Sequence, residues 1–479
     1  MKNNQKGITL VALVITIIIL LILAGISISA LTGSGLLAKA QDAEKKYDNA
    51  QAEESKTLLG YESLIDEYVT GVKKITDTDD TKPSQAMPEE ATVIENNPSK
   101  GIVIVDKKGN EWTWVEVPKT TVFTTAQNAT DYDNIKADLI AYATEYRESG
   151  YTDEWYDYCG TTYDGTNQYS QVKYIKSSGD LTTISSLFTR AKNYYGTIYT
   201  DKGITEATEY VRGTTYYADI TEKLTDTSGC GLTFNEYQDK YQKMLSSVYT
   251  NGGFWISRYE IGDATATENN ITRTNGSGIT GTAVSKADQI PYTYVTCSQA
   301  QTLASGMSTD TNKTSSLLFG IQWDLVCKYL EVKGNWDTTS KTAISYLNSD
   351  STSWGNYYEG SLTLNRGKYN ISPNNSTSEW KTFDTDTENY VTSSQKLSSK
   401  CVLLTTGTTE ETNKMNIYDF AGNTSEWTLG HGTNNSNSPS CAYRGGSYAN
   451  KGSGCPASHY HNLGASGVYY YMAFRSGLY

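Results

Sequence analysis

The sequence predicts an α+β protein in which a long N-terminal helix precedes one large mixed domain with helical insertions. Three observations support this fold class. Residues 8–31 contain no charged side chain. Residues 112–117 alternate between apolar and polar side chains, as a half-buried strand does. Residues 416–479 contain several aromatic and glycine-rich blocks, and 479 residues suffice for one sizeable domain with insertions.

The N-terminus has the pattern of a membrane helix behind a short basic leader, residues 1–7. As a helix, residues 8–31 would extend about 36 Å at about 1.5 Å per residue, which exceeds a hydrocarbon core of about 30 Å. A cleaved secretory signal, a plain membrane anchor and a prepilin-type leader are the three interpretations. The apolar run is long for a secretory signal, and the helical pattern continues past it.

The junction between leader and helix reads Lys6-Gly7-Ile8-Thr9-Leu10-Val11 and resembles the type IV prepilin pattern. The resemblance implies that a prepilin peptidase cleaves after Gly7 and leaves Ile8 as the first mature residue. One position departs from the pattern, since Ala12 stands where that family has a glutamate used in pilus register and methylation. The resemblance therefore predicts membrane anchorage and leaves assembly with other pilins open.

Beyond the membrane segment, we predict a helical stalk at residues 32–75 and a linker at residues 76–100. The stalk is rich in Ala, Glu, Lys, Gln and Leu and places apolar residues at helical spacing. The linker carries Pro83, Pro88 and Pro98, several carboxylates and no aromatic residue. The main domain then covers residues 101–479. Its insertion at 120–250 contains three amphipathic stretches that predict helices, at 132–146, 181–195 and 234–249.

Three ordered blocks lie near the C-terminus: Asn416 to Thr428 (NIYDFAGNTSEWT), Tyr443 to Tyr448 (YRGGSY) and Ala473 to Arg475 (AFR). Their order and spacing resemble the C-type-lectin-like fold of the formylglycine-generating enzyme family, with N-x-Y-D-M-x-G-N-V-x-E-W-T, R-G-G-S-W/Y and G-F-R. Weaker matches extend upstream to about Gly101. The resemblance implies a C-type-lectin-like domain of the formylglycine-generating-enzyme type. For most single positions, ordinary turn glycines and core tryptophans are the plainer interpretation.

The resemblance also bears on catalysis. In the enzyme, two copper-binding cysteines follow the serine of R-G-G-S by three and then five further residues. Those positions hold Asn450 and Cys455 here. A single thiolate does not provide the paired soft ligands that copper chemistry needs, so we predict that the protein is not an enzyme. Oxidase activity of the formylglycine-generating type is kept as an alternative.

The first block also forms a calcium loop in that family. The resemblance places calcium ligands at Asp419 and Glu426, with carbonyl oxygens from Gly422 and Thr424, and oxygen ligands of this kind suit calcium. The alternative is structural, with Asp419 starting an Asx-type turn and Glu426 capping a strand end. Apart from this calcium ion, no cofactor is expected.

Residues 447–471 resemble the variable region of proteins diversified by retroelements. In those proteins adenine mutation in Asn-type codons never yields Lys, Glu, Gln, Met or Trp, and of these only Lys451 occurs here. Such proteins carry the variable segment on the same lectin-like fold, just before a Phe-Arg ending. The predicted ligand-binding residues face outward: Ser447, Tyr448, Asn450, His459, Tyr460, His461, Tyr469, Tyr470 and Tyr471. The high tyrosine content, 38 residues against 8 phenylalanines, suits such a surface.

Histidines and cysteines give weaker signals. His459 and His461 share one face of an extended segment, and His431 would complete a zinc site. We favour the alternative that all three histidines belong to the binding surface.

The seven cysteines contain no C-x-x-C pair, and their odd number leaves at least one free thiol or an intermolecular bond. Cys297 and Cys327 are predicted to be buried in helices rather than bridged.

A formal net charge of −13, with 40 Lys and Arg residues and no basic cluster, argues against a nucleic-acid partner. We therefore predict a membrane-anchored, pilin-like protein on the outer face of a bacterial cell, in a pilus if it polymerises. Its non-catalytic domain would bind an external protein or glycan through the C-terminal segment. The alternatives are the oxidase and a structural minor pilin without a specific ligand. The sequence does not identify the ligand.

Overall fold

The structure is a computed structural model, and it describes residues 16–20, 73–153, 210–212, 215–217, 230–232, 234–266, 281–308, 310–371, 373, 379–383, 389–432, 440–464 and 467–479. The chain divides into two compact units, Met1–Val72 and Lys73–Tyr479. In the first unit, residues 16–20 form an exposed helical turn. Gly7, Ile8, Ala12 and most of the predicted membrane helix and stalk lie outside the described residues. Within the described ranges, no helix is both long and apolar enough to cross a membrane.

The second unit mixes helices and strands, as predicted. Its helices are α1 (Pro83–Ala86), α2 (Lys119–Val122), α3 (Tyr132–Tyr142), α4 (Phe234–Asn251), α5 (Cys297–Ser305), α6 (Gly320–Lys333) and α7 (Ala343–Asn348). Its strands are β1 (Thr92–Glu95), β2 (Val103–Val105), β3 (Glu111–Glu116), β4 (Tyr151–Thr152), β5 (Tyr210–Arg212), β6 (Thr215–Tyr217), β7 (Gly253–Ser257), β8 (Gly262–Asp263), β9 (Ala283–Val284), β10 (Ile290–Pro291), β11 (Ser315–Leu317), β12 (Leu362–Thr363), β13 (Tyr369–Asn370), β14 (Val391–Thr392), β15 (Gln395–Lys396), β16 (Leu403–Leu404), β17 (Ser425–Gly432), β18 (Ser440–Arg444), β19 (Tyr460–Gly464), β20 (Met472–Phe474) and β21 (Ser476–Leu478).

Two sheets organise this unit. The larger one is antiparallel, with strand order β1-β2-β3-β7-β21-β11. The second has the order β19-β18-β17-β20, with β4 paired to the far end of β17 and with β17 and β20 parallel. Strands β20 and β21 follow one another around Arg475, so the last residues of the chain enter both sheets.

Strand β3 confirms the strand predicted at residues 112–117, but its burial differs from the expectation. The prediction was a half-buried strand, whereas every residue from Trp112 to Val115 is buried. Trp114 lies opposite Trp255 of β7, and their rings meet edge to face at 5.1 Å. The sheet is therefore covered on both faces. On the face opposite to Trp114, Thr113 donates its hydroxyl proton to the carbonyl of Asn416 (2.8 Å).

The predicted helices within the described residues are confirmed. Helix α3 and the following 3-10 turn, Thr144–Tyr146, account for the stretch at 132–146, and α4 accounts for 234–249. The stretch at 181–195 lies outside the described residues. Helix α5 begins with a capping box in which Thr296 and Gln299 bond each other's backbone N–H groups. Cys297 and Cys327 lie buried in α5 and α6, as predicted.

The linker predicted at 76–100 is wrong, because this segment folds onto the domain. Pro83 is the first residue of α1, where its missing N–H costs nothing, and both Pro83 and Ala86 are buried. Residues 92–95 then form β1, which pairs with β2 at the edge of the larger sheet. The prolines here begin a short helix and lie at turns. A high proline content therefore did not mean that this segment is an extended linker.

A buried guanidinium joins the two sheets. Arg475 has no exposed side-chain surface and donates from Nη2 to Glu426 Oε1 on β17 at 2.9 Å. Its Nη1 donates to the carbonyl of Ser257 on β7 (2.9 Å), and Nη2 also donates to the carbonyl of Tyr418 (2.7 Å). One side chain thus holds the first C-terminal block against strands of both sheets.

Replacing Arg475 should show how much the buried ion pair with Glu426 matters for stability. Arg475→Met leaves the Glu426 carboxylate buried without its cation, so we expect a loss of about 3–5 kcal/mol in the free energy of unfolding, measured by chemical denaturation. The double variant Arg475→Met/Glu426→Gln removes the orphaned charge and should recover part of that loss. Equal stability of the single and double variants would contradict the ion pair.

Candidate ligand-binding site

A cavity of about 290 Å³ opens beside β18 and the loop that follows it. Its walls come from the start of β17, from β18, from the loop between β18 and β19, and from residues just before β20. The lining residues are Ser425, Tyr443, Arg444, Gly446, Ser447, Ala449, Asn450, Cys455, His459, His461 and Tyr471. Most of them belong to the segment 447–471 that the sequence singled out.

A buried ion pair fixes the strand beside the cavity. Arg444 donates from Nη1 to Asp324 Oδ1 of α6 (2.7 Å) and from Nη2 to the carbonyl of Ser458 (2.7 Å). Neither side chain of the pair is exposed. Arg147 approaches the other Asp324 oxygen at 3.1 Å. Burial raises the pKa of Asp324 to about 6, although the two guanidinium groups oppose the shift.

Tyr460 covers this ion pair, which corrects the prediction that it faces a ligand. Its ring lies 3.5 Å from the Arg444 guanidinium, and Tyr151 of β4 stacks on its other side at 4.4 Å. Only 3% of Tyr460 is exposed. The strand alternates side chains, so Tyr460 points into the core while His459 and His461 on either side reach the cavity.

The loop after β18 is built by two further predicted residues. Asn450 Oδ1 accepts hydrogen bonds from the backbone N–H and the hydroxyl of Ser447, at 2.9 and 2.8 Å. Gly446 has φ of 70°, and a Cβ there would lie 2.4 Å from the Cys455 carbonyl oxygen. Ser447 and Asn450 therefore line the cavity while closing its loop.

Tyr448 does not reach the cavity. It is 2% exposed and packs with Trp380 and Leu403 in a small core of its own. The prediction that it faces outward is therefore wrong. The reason is local: the left-handed turn at Gly445 and Gly446 breaks the strand, so alternation no longer tells which side the following residues face.

The accessible rim of the cavity consists of aromatic rings. Tyr443 and His461 stack with their centroids 5.1 Å apart, and Tyr471 stacks on Tyr469 at 5.3 Å. Tyr470 meets Tyr471 edge to face at 5.1 Å. Here the predicted residues lie together on the surface. Tyr443 was not among them, although alternation along β18 places it opposite to the buried Arg444.

None of the described residues that line the cavity is a carboxylate, in contrast to the charge of −13 for the whole chain. An acid outside the lining approaches one of the two histidines: Glu148 Oε1 lies 3.8 Å from Nδ1 of His459. Burial lowers the pKa of His459, and His461 and Arg444 lower it further, while Glu148 opposes them. The rim is thus an aromatic and hydrogen-bonding surface with little net charge.

His431 lies apart from this rim, although it was assigned to the same surface. It is 2% exposed on β17 and meets the ring of Tyr237 at 5.9 Å. Across the described residues, no group of three His, Cys, Asp or Glu side chains could hold a metal ion. The zinc arrangement with His459 and His461 is therefore not formed.

The proposed calcium ligands already have protein partners. Asp419 accepts hydrogen bonds from the Gly407 N–H (2.7 Å) and the Thr412 hydroxyl (2.8 Å), and the cation at Glu426 is Arg475. Thr424 donates to Glu260, a third buried carboxylate. Burial raises the pKa of Asp419 and raises that of Glu426 to about 7, although Arg475 opposes the latter shift. Donors aimed at these oxygens do not fit a calcium site.

The copper ligands of the resembling enzyme fit no better. Cys455 is half-buried in the cavity wall, and burial raises the pKa of its thiol. It is the one cysteine among the lining residues, and its counterpart Asn450 is engaged with Ser447. Among the described lining residues, the wall therefore offers one thiol where copper chemistry needs a pair.

Comparisons with known proteins give one family-model match and one similar solved structure. Residues 2–28 match the family model of the prokaryotic N-terminal methylation motif, which confirms the prepilin-type N-terminus. No curated protein matches the chain. Among solved structures, it is similar to Treponema denticola variable protein 1, with 14% identity over 47% of this chain and 84% of that one and a TM-score of 0.24.

The burial of His431 predicts a pH effect on stability. Burial lowers its pKa to about 4 from an ordinary value of 6.5, so between these values the unfolded chain binds the proton that the folded chain excludes. Wild-type stability should therefore fall as pH falls from 6.5 to 4, by up to about 3 kcal/mol relative to His431→Phe. Denaturation curves of both proteins across this range measure the difference. Parallel pH profiles would contradict it.

Proposed function

We propose that this protein is a membrane-anchored, surface-displayed pilin-like protein whose domain binds an external ligand in the cavity beside β18. We further propose that the domain has a C-type-lectin fold, is non-catalytic, and that residues 447–471 are diversified among related chains. The observation that carries the proposal is the cavity itself. Its rim is aromatic and accessible, and a buried ion pair fixes the strand from which part of the rim projects.

The separation between the buried ion pair and the accessible rim supports a binding role. Arg444 and Tyr460 are fully packed, so the backbone on which the rim stands is fixed before a ligand arrives. Tyr471, Tyr443 and the neighbouring tyrosines offer large rings with few rotatable bonds, and their ordering on binding costs little entropy. Preorganised aromatic surfaces of this kind bind proteins and glycans.

The anchor follows from the methylation motif at residues 2–28, which is typical of membrane-anchored, surface-exposed pilin-type proteins. A prepilin peptidase is therefore a proposed partner, as are other pilins if the chain polymerises.

Calcium at Asp419 and Glu426 stays a prediction, and the hydrogen-bond donors around these carboxylates weigh against it. The oxidase alternative would require a second thiol near Cys455, and the minor-pilin alternative would require that the cavity bind nothing.

Substitutions on the rim should separate binding from folding. Binders are first selected from an immobilised glycan array and a displayed random-peptide library with the wild-type protein. Tyr471→Ala or His461→Ala should then weaken the selected interaction by about thirtyfold or more, equivalent to about 2 kcal/mol, with little change in Tm. Affinity is measured by calorimetry.

Two control variants complete that experiment. Tyr346→Ala removes a half-buried tyrosine that stacks on Trp336 and does not line the cavity, and it should leave affinity unchanged. Tyr460→Ala should lower Tm because it uncovers the Arg444 ion pair. Failure to select any binder, or binders indifferent to Tyr471 and His461, would contradict the proposal.

Processing at the N-terminus is a separate prediction. In a host with a prepilin peptidase, the mature chain should begin at Ile8, detected by intact mass or N-terminal sequencing. Gly7→Val should block cleavage, because the peptidase has to approach the backbone at this junction. A wild-type chain that retains Met1 would reduce the segment to a plain anchor.

A further inference from the structure

The buried charges beside the binding cavity balance one another. Arg444 pairs with Asp324 at 2.7 Å. Arg147 lies between two carboxylates, at 3.1 Å from Asp324 and 3.0 Å from Asp153. Both aspartates are at most 1% exposed, and the side chain of Arg147 is 16% exposed. These two arginines and two aspartates together contribute no net charge to the cavity.

Glu148 departs from this balance. Its side chain is 46% exposed, and its Oε1 lies 3.8 Å from Nδ1 of His459, a residue of the cavity wall. Across the described residues, no lysine or arginine nitrogen lies within 4 Å of its carboxylate. Lys451, the one lysine in the loop between β18 and β19, is paired with Glu359 at 3.7 Å. Glu148 therefore places a negative charge without a cationic partner beside an aromatic cavity.

His459 is the group that can compensate this charge. Burial lowers its pKa, Glu148 opposes that shift, and His461 and Arg444 add to it. The ring of His461 lies 6.2 Å from the ring of His459. Burial raises the pKa of each remaining titratable group of the wall, so these stay uncharged at neutral pH: Tyr443, Cys455 and Tyr471. At neutral pH His459 is thus uncharged, and the charge of Glu148 is available to a ligand.

We propose that Glu148 selects protein ligands that place a lysine or arginine side chain beside the aromatic rim, and that His459 cancels this selectivity when it takes up a proton. The inference rests on the proposed ligand site and gives its ligand a chemical class. A basic protein segment fits both parts of the surface, because its cation pairs with Glu148 while the tyrosine rings pack around the neighbouring residues. The net charge of −13 also attracts a basic surface before contact.

The direction of the pH effect follows from the pairing of the two side chains. When His459 is neutral, the ligand's cation has no competitor for the Glu148 carboxylate. As the pH falls, an imidazolium forms 3.8 Å from that carboxylate and competes with the ligand. Affinity for a basic ligand should therefore decrease as the pH falls.

The experiment uses the full chain in detergent and the peptides that it selects from a displayed random library at pH 7.5 and low salt. Lysine or arginine should recur at one position of these peptides. Replacing that residue with uncharged acetyl-lysine or citrulline should weaken binding to the wild-type protein about fivefold, as for a partly exposed ion pair. The same replacement should have little effect on binding to Glu148→Gln. Affinities are measured by calorimetry.

The pH dependence is measured with the unmodified peptide between pH 7.5 and 5. Its affinity for the wild-type protein should decrease about fivefold over this range, because the imidazolium then occupies Glu148. The decrease should be smaller for His459→Gln and for Glu148→Gln, since each variant lacks one member of the pair. A decrease of equal size in all three proteins would contradict the role of His459.

Glu145→Gln is the matched control. It removes a carboxylate three residues earlier, whose partner is Lys328 at 3.7 Å, and should leave every affinity unchanged. The proposal is overturned if the uncharged peptide loses equal affinity for the wild-type protein and Glu148→Gln. It is also overturned if no basic residue recurs, or if glycans bind and peptides do not, amino sugars included. These results leave the proposed ligand site intact, because Tyr471→Ala and His461→Ala test that site separately, whereas the absence of any binder contradicts both proposals.

Discussion

The contact between Arg444 and Asp324 is the constraint on which the cavity depends. Burying a guanidinium is costly unless its charge is matched. Asp324 supplies the opposite charge, the Ser458 carbonyl accepts a hydrogen bond and the ring of Tyr460 covers the group, while Nε has no hydrogen-bond partner among the described residues. Because Asp324 belongs to α6 and Arg444 to β18, the pair fixes a helix and a sheet at one distance. The loop that follows Arg444 starts from this fixed point, and so does the aromatic rim.

A second buried arginine has the same role between the sheets. Arg475 lies among Glu426, Asp419 and Glu260, three carboxylates that are each at most 2% exposed. Burial raises the pKa of Glu260, and the other two carboxylates raise it further. A protein guanidinium thus provides the positive charge that the sequence resemblance would assign to a metal ion. Because Arg475 is covalently part of the chain, its positive charge is present beside Glu426 without the binding of an ion from solution.

Much of the architecture could be predicted from the sequence, and the failures share a cause. Strand β3 and helices α3 and α4 follow from periodicity, since each is long enough for its pattern to be read. The segment 76–100 was misjudged because proline begins α1 as readily as it interrupts a linker. At the site, the aromatic cluster at 469–471 and the two histidines, His459 just before β19 and His461 on it, could be anticipated. Tyr448 and Tyr460 could not, because their direction depends on the turn at Gly445 and on the register of β19 against β18.

That register has a consequence for how the chain can change over evolutionary time. Along β19, Tyr460 is opposite Arg444 and His461 is opposite Tyr443. Two neighbouring positions are therefore under different constraints, one buried and one exposed. A new side chain at His461 would extend into solvent, whereas the same side chain at Tyr460 would have to pack against the buried Arg444 ion pair. Mutational tolerance should thus differ sharply between these two neighbours, and a mutagenic process acting evenly on both would leave its surviving changes at His461 rather than at Tyr460.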